Sequence, residues 1–214
     1  MGELKKIEDL AKDNFNIAKE EREVAFEAKR VGKSELERAK ARLFLIKKEL
    51  ELVEACETFV EKDTNLLSKK KECKDSLNIP EDYLNEMHEL LQINKKKAKI
   101  QKSITEIQKK IVVTEFQIAE ERLELSIKTM NVANIRKKLS KKQLIYVKKV
   151  KSKASNEKIK TAEKQFTELQ DELIDAREKV VKTANKIKKL NDKLADLKIQ
   201  LSEKLSEWEK IRSI

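Results

Sequence analysis

Residues Leu10 to Gly32 read LAKDNFNIAKEEREVAFEAKRVG, and four adjacent apolar or small pairs recur there every seven positions: Leu10-Ala11, Ile17-Ala18, Val24-Ala25 and Val31-Gly32. The return continues through Leu45-Ile46, Leu52-Val53, Phe59-Val60 and Leu66-Leu67, with Arg38-Ala39 the one imperfect repeat. Seven residues are close to two helical turns, so every pair lands on the same side of one continuous helix, and that side needs a partner to cover it. The pattern predicts a first helix over about residues 4–74, with the in-phase part spanning on the order of 87 Å. Gly32 shares an edge with Ala11, Ala18, Ala25 and Ala39, which points to two helices in close approach rather than to a break.

Composition agrees with long helices. Charged residues make up 42% of the chain and aromatics 4%, and 2 glycines and 1 proline are too few to punctuate a sheet or a many-element globule. The 214 residues are therefore expected to form one elongated helical domain over 1–214.

The run Asp75-Ser76-Leu77-Asn78-Ile79-Pro80 holds turn formers and the sole proline together, so a turn is expected over 75–80. Pro80, Glu81 and Asp82 make a favourable first turn for a second helix, about 81–150. Leu90-Leu91, Ile111-Val112, Ile118-Ala119 and Tyr146-Val147 keep one phase along it. The phase is lost after Val150, and cap-type side chains place a turn at 151–155, with Ser155 or Asn156 as N-cap of a third helix over 156–214. That helix alternates strictly by three and four from Ile159, Ala162 and Phe166 to Leu197 and Leu201, then stutters at Leu205, Trp208 and Ile211.

Short turns return the chain alongside itself, so the expected fold class is all-α: three long antiparallel helices in an elongated coiled-coil bundle. One unbroken helix in place of the second and third is the alternative that the phase break opposes. Val113, Phe116, Leu123, Ile127 and Met130 fall outside the main stripe of the second helix. Either two partners within the chain cover them, or they form a homodimer interface.

Charge supplies the functional pointer. Lysines and arginines number 50 against 39 acids, yet no acid occurs from Leu125 to Asn156, where Lys128, Arg136, Lys137, Lys138, Lys141, Lys142, Lys148, Lys149, Lys151 and Lys153 gather. The proposed fold places this run at one end, as an anionic-surface binding site. Lipid head groups, nucleic-acid phosphate and acidic protein filaments all carry the matching charge. Nucleic acid is the weaker match, since Tyr146 is the only ring in that run and no DNA- or RNA-binding signature accompanies it.

Three antiparallel helices, a broad apolar region suited to dimerisation and lysines massed at the turn between the second and third helices resemble the BAR-domain superfamily. The likeness rests on architecture and charge placement and covers almost the entire chain. It implies a crescent-shaped dimer bound to curved anionic membrane, with Lys137, Lys138, Lys141, Lys142, Lys148, Lys149, Lys151 and Lys153 matching the lipid-touching arm. The second and third helices lack the glycine or proline kinks that would announce curvature. A structural coiled-coil component of a cytoskeletal or ciliary assembly is the alternative function.

Catalysis has no foothold in the pattern. His88 is the only histidine, no glycine-rich phosphate loop is possible with Gly2 and Gly32 alone, and no cysteine-histidine set has metal-ligand spacing. No enzyme activity, cofactor or metal is expected, and carboxylate pairs such as Glu120-Glu121 read as solvated helix residues. Cys56 and Cys73 would stand roughly 25 Å apart on one helix, too far to pair, which fits a reducing compartment. With no bilayer-length apolar run and no leader pattern, the expected location is cytoplasmic, peripheral at membranes.

Overall fold

The computed structural model describes residues 2–212. They form four helices, α1 (Gly2–Glu72), α2 (Lys74–Leu77), α3 (Glu81–Lys151) and α4 (Asn156–Arg212), with no strand among the described residues. The chain is all-α. A single helical turn, α2, interrupts the segment expected to be a plain turn, and α1 ends at Glu72 rather than at 74. Asn78 closes α2 in the left-handed conformation, φ 54°, and its neighbour Ile79 donates its N–H to the Lys74 carbonyl at 3.2 Å. Asparagine tolerates this backbone region better than most residues. Pro80 stands just before α3, where its carbonyl accepts the Leu84 N–H at 3.3 Å, so Glu81 rather than proline opens the helix.

The α3–α4 turn is a Schellman motif. The Lys153 N–H meets the Val150 carbonyl and the Ala154 N–H meets the Lys149 carbonyl, both at 3.1 Å. Lys153 itself takes φ 52°, a position where glycine is the usual occupant. Ser155 holds the N-cap position of α4 and its carbonyl accepts the Ile159 N–H at 3.1 Å.

The helices contribute to two compact units, residues 2–37 with Ile118–Leu190 and Arg38–Gln117 with residues 191–212. In the first, α1 and α3 run in opposite directions, because Glu8 meets Lys151, Glu21 meets Arg136 and Glu35 meets Arg122. Their seam is made of small residues: Ala11 and Ala18 are fully buried and Ala25 nearly so. Gly32 completes it, since a methyl group there would stand 3.3 Å from the Leu123 Cα. On the other flank of α3, Ile135 packs with Leu173 and Ala176 of α4, and Val132, Leu139 and Leu169 close around them.

The second unit repeats the plan with larger side chains. Leu67 of α1 packs against Leu84 and Leu91 of α3, with Ile79 and Met87 around them. Ile107 and Ile111 of α3 pack against Leu197 of α4, beside Leu194 and Leu201. Ion pairs Arg42–Glu115 and Glu57–Lys102, each 2.6 Å, link α1 to α3 on the rim. In both units α3 is the covered helix. Its buried hydroxyls, among them Thr105, Thr114, Ser126 and Ser140, donate to the carbonyl four residues earlier, which satisfies them without a partner helix.

The returning pairs of α1 do not enter the interior together, contrary to the expectation of one packed stripe. The second member is buried at Ala11, Ala18, Ala25, Ala39, Ile46, Val53 and Leu67. The first is exposed at Leu10, Ile17, Val24, Val31, Leu45, Leu52, Phe59 and Leu66, by 43% to 70%. Adjacent residues stand about 100° apart around a helix, and packing on α3 covers only the second column. The three-four series of α4, by contrast, is buried or half-buried from Ile159 to Leu201.

Candidate functional site

The lysine-rich run ends α3 and lies within the first unit. Its ten cations do not share one environment. Arg136 and Lys151 reach across to Glu21 and Glu8 of α1, and Lys128 is held by Glu124 at 2.6 Å and by the Thr183 hydroxyl at 2.7 Å. Lys142 donates to Gln165 at 2.8 Å and Lys149 to the Lys158 carbonyl at 3.3 Å. Lys137 and Lys141 lie over the Phe15 ring, 5.4 and 5.7 Å from its centre, a cation–π arrangement.

The run is acid-free in sequence but not in space. Glu8 shows this most sharply: hydrogen bonds from Lys12 and then Lys151 draw its carboxyl down to about 2. The Lys12 ammonium is raised in turn by Glu8. Glu124 is lowered by its hydrogen bond from Lys128.

Lys138, Lys148 and Lys153 are exposed and make no such contact among the described residues. Lys138, Lys141, Ile145 and Lys148 follow one another by three and four positions, so they share a single outward face of α3, and Ile145 is 44% exposed among the cations. No spacing rule isolates this subset from the ten. The helix period selects it once the covered side of α3 is known.

The residues expected at a dimer interface lie elsewhere on α3. Leu123 packs on Gly32 of α1, Val113, Phe116 and Met130 are half-buried, and Ile127 is 43% exposed. Two partners within the chain, α1 and α4, account for most of the apolar breadth of α3.

The chain matches no protein-family model, no curated protein and no solved structure. Among the described residues no group of three or more His, Cys, Asp or Glu side chains is placed to hold a metal ion. His88 is exposed on α3, as are the free thiols Cys56 and Cys73 on and just after α1. No described helix is long and apolar enough to cross a membrane.

Proposed function

We propose that this chain is a non-enzymatic, BAR-like helical scaffold, an antiparallel three-helix bundle that dimerises and docks on anionic membrane surfaces through the outward face at the end of α3. The observation that supports it is the set Lys138, Lys141 and Lys148 around the exposed Ile145. Cations flanking an apolar side chain suit the boundary between charged head groups and acyl chains, where each lysine contributes about 1 kcal/mol. Lys153, in the adjoining turn, is a further exposed cation.

Vesicle co-sedimentation tests this. The chain should pellet with phosphatidylserine-containing vesicles and not with phosphatidylcholine alone. Replacing Lys138, Lys141 and Lys148 by glutamine should weaken binding by about 100-fold. Equal binding to neutral vesicles would contradict the reading. So would a preference for DNA with a steep salt dependence. The second reading, a coiled-coil component of a cytoskeletal or ciliary assembly, draws support from the exposed apolar column of α1, which suits lateral packing against further helices.

A further inference from the structure

The exposed column of α1 carries a charge pattern beside it. Three positions after each member of the column, Arg38 included, stand, in order, Asp13, Glu20, Glu27, Ser34, Ala41, Lys48, Ala55, Lys62 and Lys69, so that this edge is acidic in its first half and basic in its second. Residues separated by three lie side by side on a helix, which makes this edge the border of the apolar column. Glu27 and Lys48 are engaged within the helix, by Arg30 at 3.1 Å and Glu51 at 2.7 Å. Asp13, Glu20, Lys62 and Lys69 are exposed and make no ion pair among the described residues.

We infer that α1 pairs with α1 of a second copy, antiparallel, about a two-fold axis near Ala41. A two-fold axis at that point sets Asp13 opposite Lys69 and Glu20 opposite Lys62, so all four charges left unpaired in one chain meet opposite charges. Within one residue of that register, Val24 comes against Phe59, Val31 against Leu52 and Ile17 against Leu66. Arg38, the one break in the column, then faces Leu45 and not its own copy. A parallel pairing would instead set acid beside acid and lysine beside lysine, which is destabilising. The column is apolar at eight of its nine repeats from Leu10 to Leu66, and all eight side chains are exposed, as is usual for apolar residues that meet a partner.

The scaffold reading calls for a dimer, and the inference gives that dimer a surface. It does not depend on the anionic-surface reading, since a monomer could still bind vesicles and a dimer could fail to. Light scattering on the full chain should give twice the 25.0 kDa chain mass at micromolar concentration. Glu20→Lys alone and Lys62→Glu alone should each raise the dissociation constant at least tenfold, and the two together should restore it. Helical content should stay unchanged in all three, because both positions are exposed. In a Cys56→Ser, Cys73→Ser background, Ala41→Cys should form a disulfide-linked dimer, whereas Val24→Cys should do so only when mixed with Phe59→Cys. Self-linking of Val24→Cys would show parallel pairing and overturn the inference. A wild-type chain that stays monomeric, with or without another helical protein or lipid on this face, would overturn it as well.

Discussion

Gly32 lies against Leu123 so closely that a Cβ at Gly32 would stand 3.3 Å from the Leu123 Cα and 3.5 Å from its Cβ. Glycine inside a helix forgoes about 1 kcal/mol relative to alanine, and here the cost is offset by the approach of α1 to α3. Gly32→Ala should therefore leave stability within about 1 kcal/mol of wild type, the propensity gain cancelling the crowding. Gly32→Leu has no such balance and should cost about 3 kcal/mol by overpacking. Urea denaturation of the two variants separates these outcomes.

Leu66 and Leu67 are chemically identical neighbours with opposite environments, 51% and 3% exposed. Leu67 packs on Leu84 and Leu91, so Leu67→Ala should cost about 2–5 kcal/mol. Leu66→Ala should cost less than about 0.5 kcal/mol, provided it is measured at concentrations where the chain is monomeric. Equal losses at the two positions would contradict the burial of one column only.

The long helices and the starts of α3 and α4 were legible because they depend on local signals: the seven-residue return marks α1, Pro80 marks the start of α3, and the pair Ser155-Asn156 marks the start of α4. The burial of Ala11 in place of Leu10 was not legible. Two adjacent columns recur with the same period, and only the position of α3 decides which one is covered. The α3 cations show the same limit. Glu8, Glu21 and Phe15 precede them by more than a hundred residues, and only the return of α3 alongside α1 brings them together. Nothing in the local sequence marks Lys153 as left-handed, because lysine is not a residue that favours that conformation.

Lys153→Gly should stabilise the chain by about 1 kcal/mol, since the Schellman hydrogen bonds would remain while the side-chain penalty at φ 52° disappears. Thermal unfolding measures it. Lys153→Val, which is β-branched, should move the midpoint the other way.

The Glu8 carboxyl sits at about 2, below its ordinary 4.5, so its links to Lys12 and Lys151 add stability that is fully present above pH 4.5 and is lost as pH falls through 2. The Lys12 ammonium is raised, so its share persists below its ordinary 10.5 and is lost only as pH rises through the higher folded value. Between those limits the cluster should be insensitive to pH. A carbon-13 NMR titration of the Glu8 carboxyl should show this low midpoint in the wild type. Lys12→Met should return it toward 4.5, because the Lys12 hydrogen bond is the largest cause of the shift.

Ile145 is where the anionic-surface reading can be met most directly, because it stands exposed between Lys141 and Lys148. An environment-sensitive fluorophore at Ile145→Cys, in a chain lacking Cys56 and Cys73, reports whether this face enters a bilayer boundary. Its emission should shift to the blue and gain intensity when phosphatidylserine vesicles are added. The same label at Ile174→Cys on α4, itself 56% exposed, should not respond. No change at Ile145, or an equal change at both positions, would contradict docking through the end of α3.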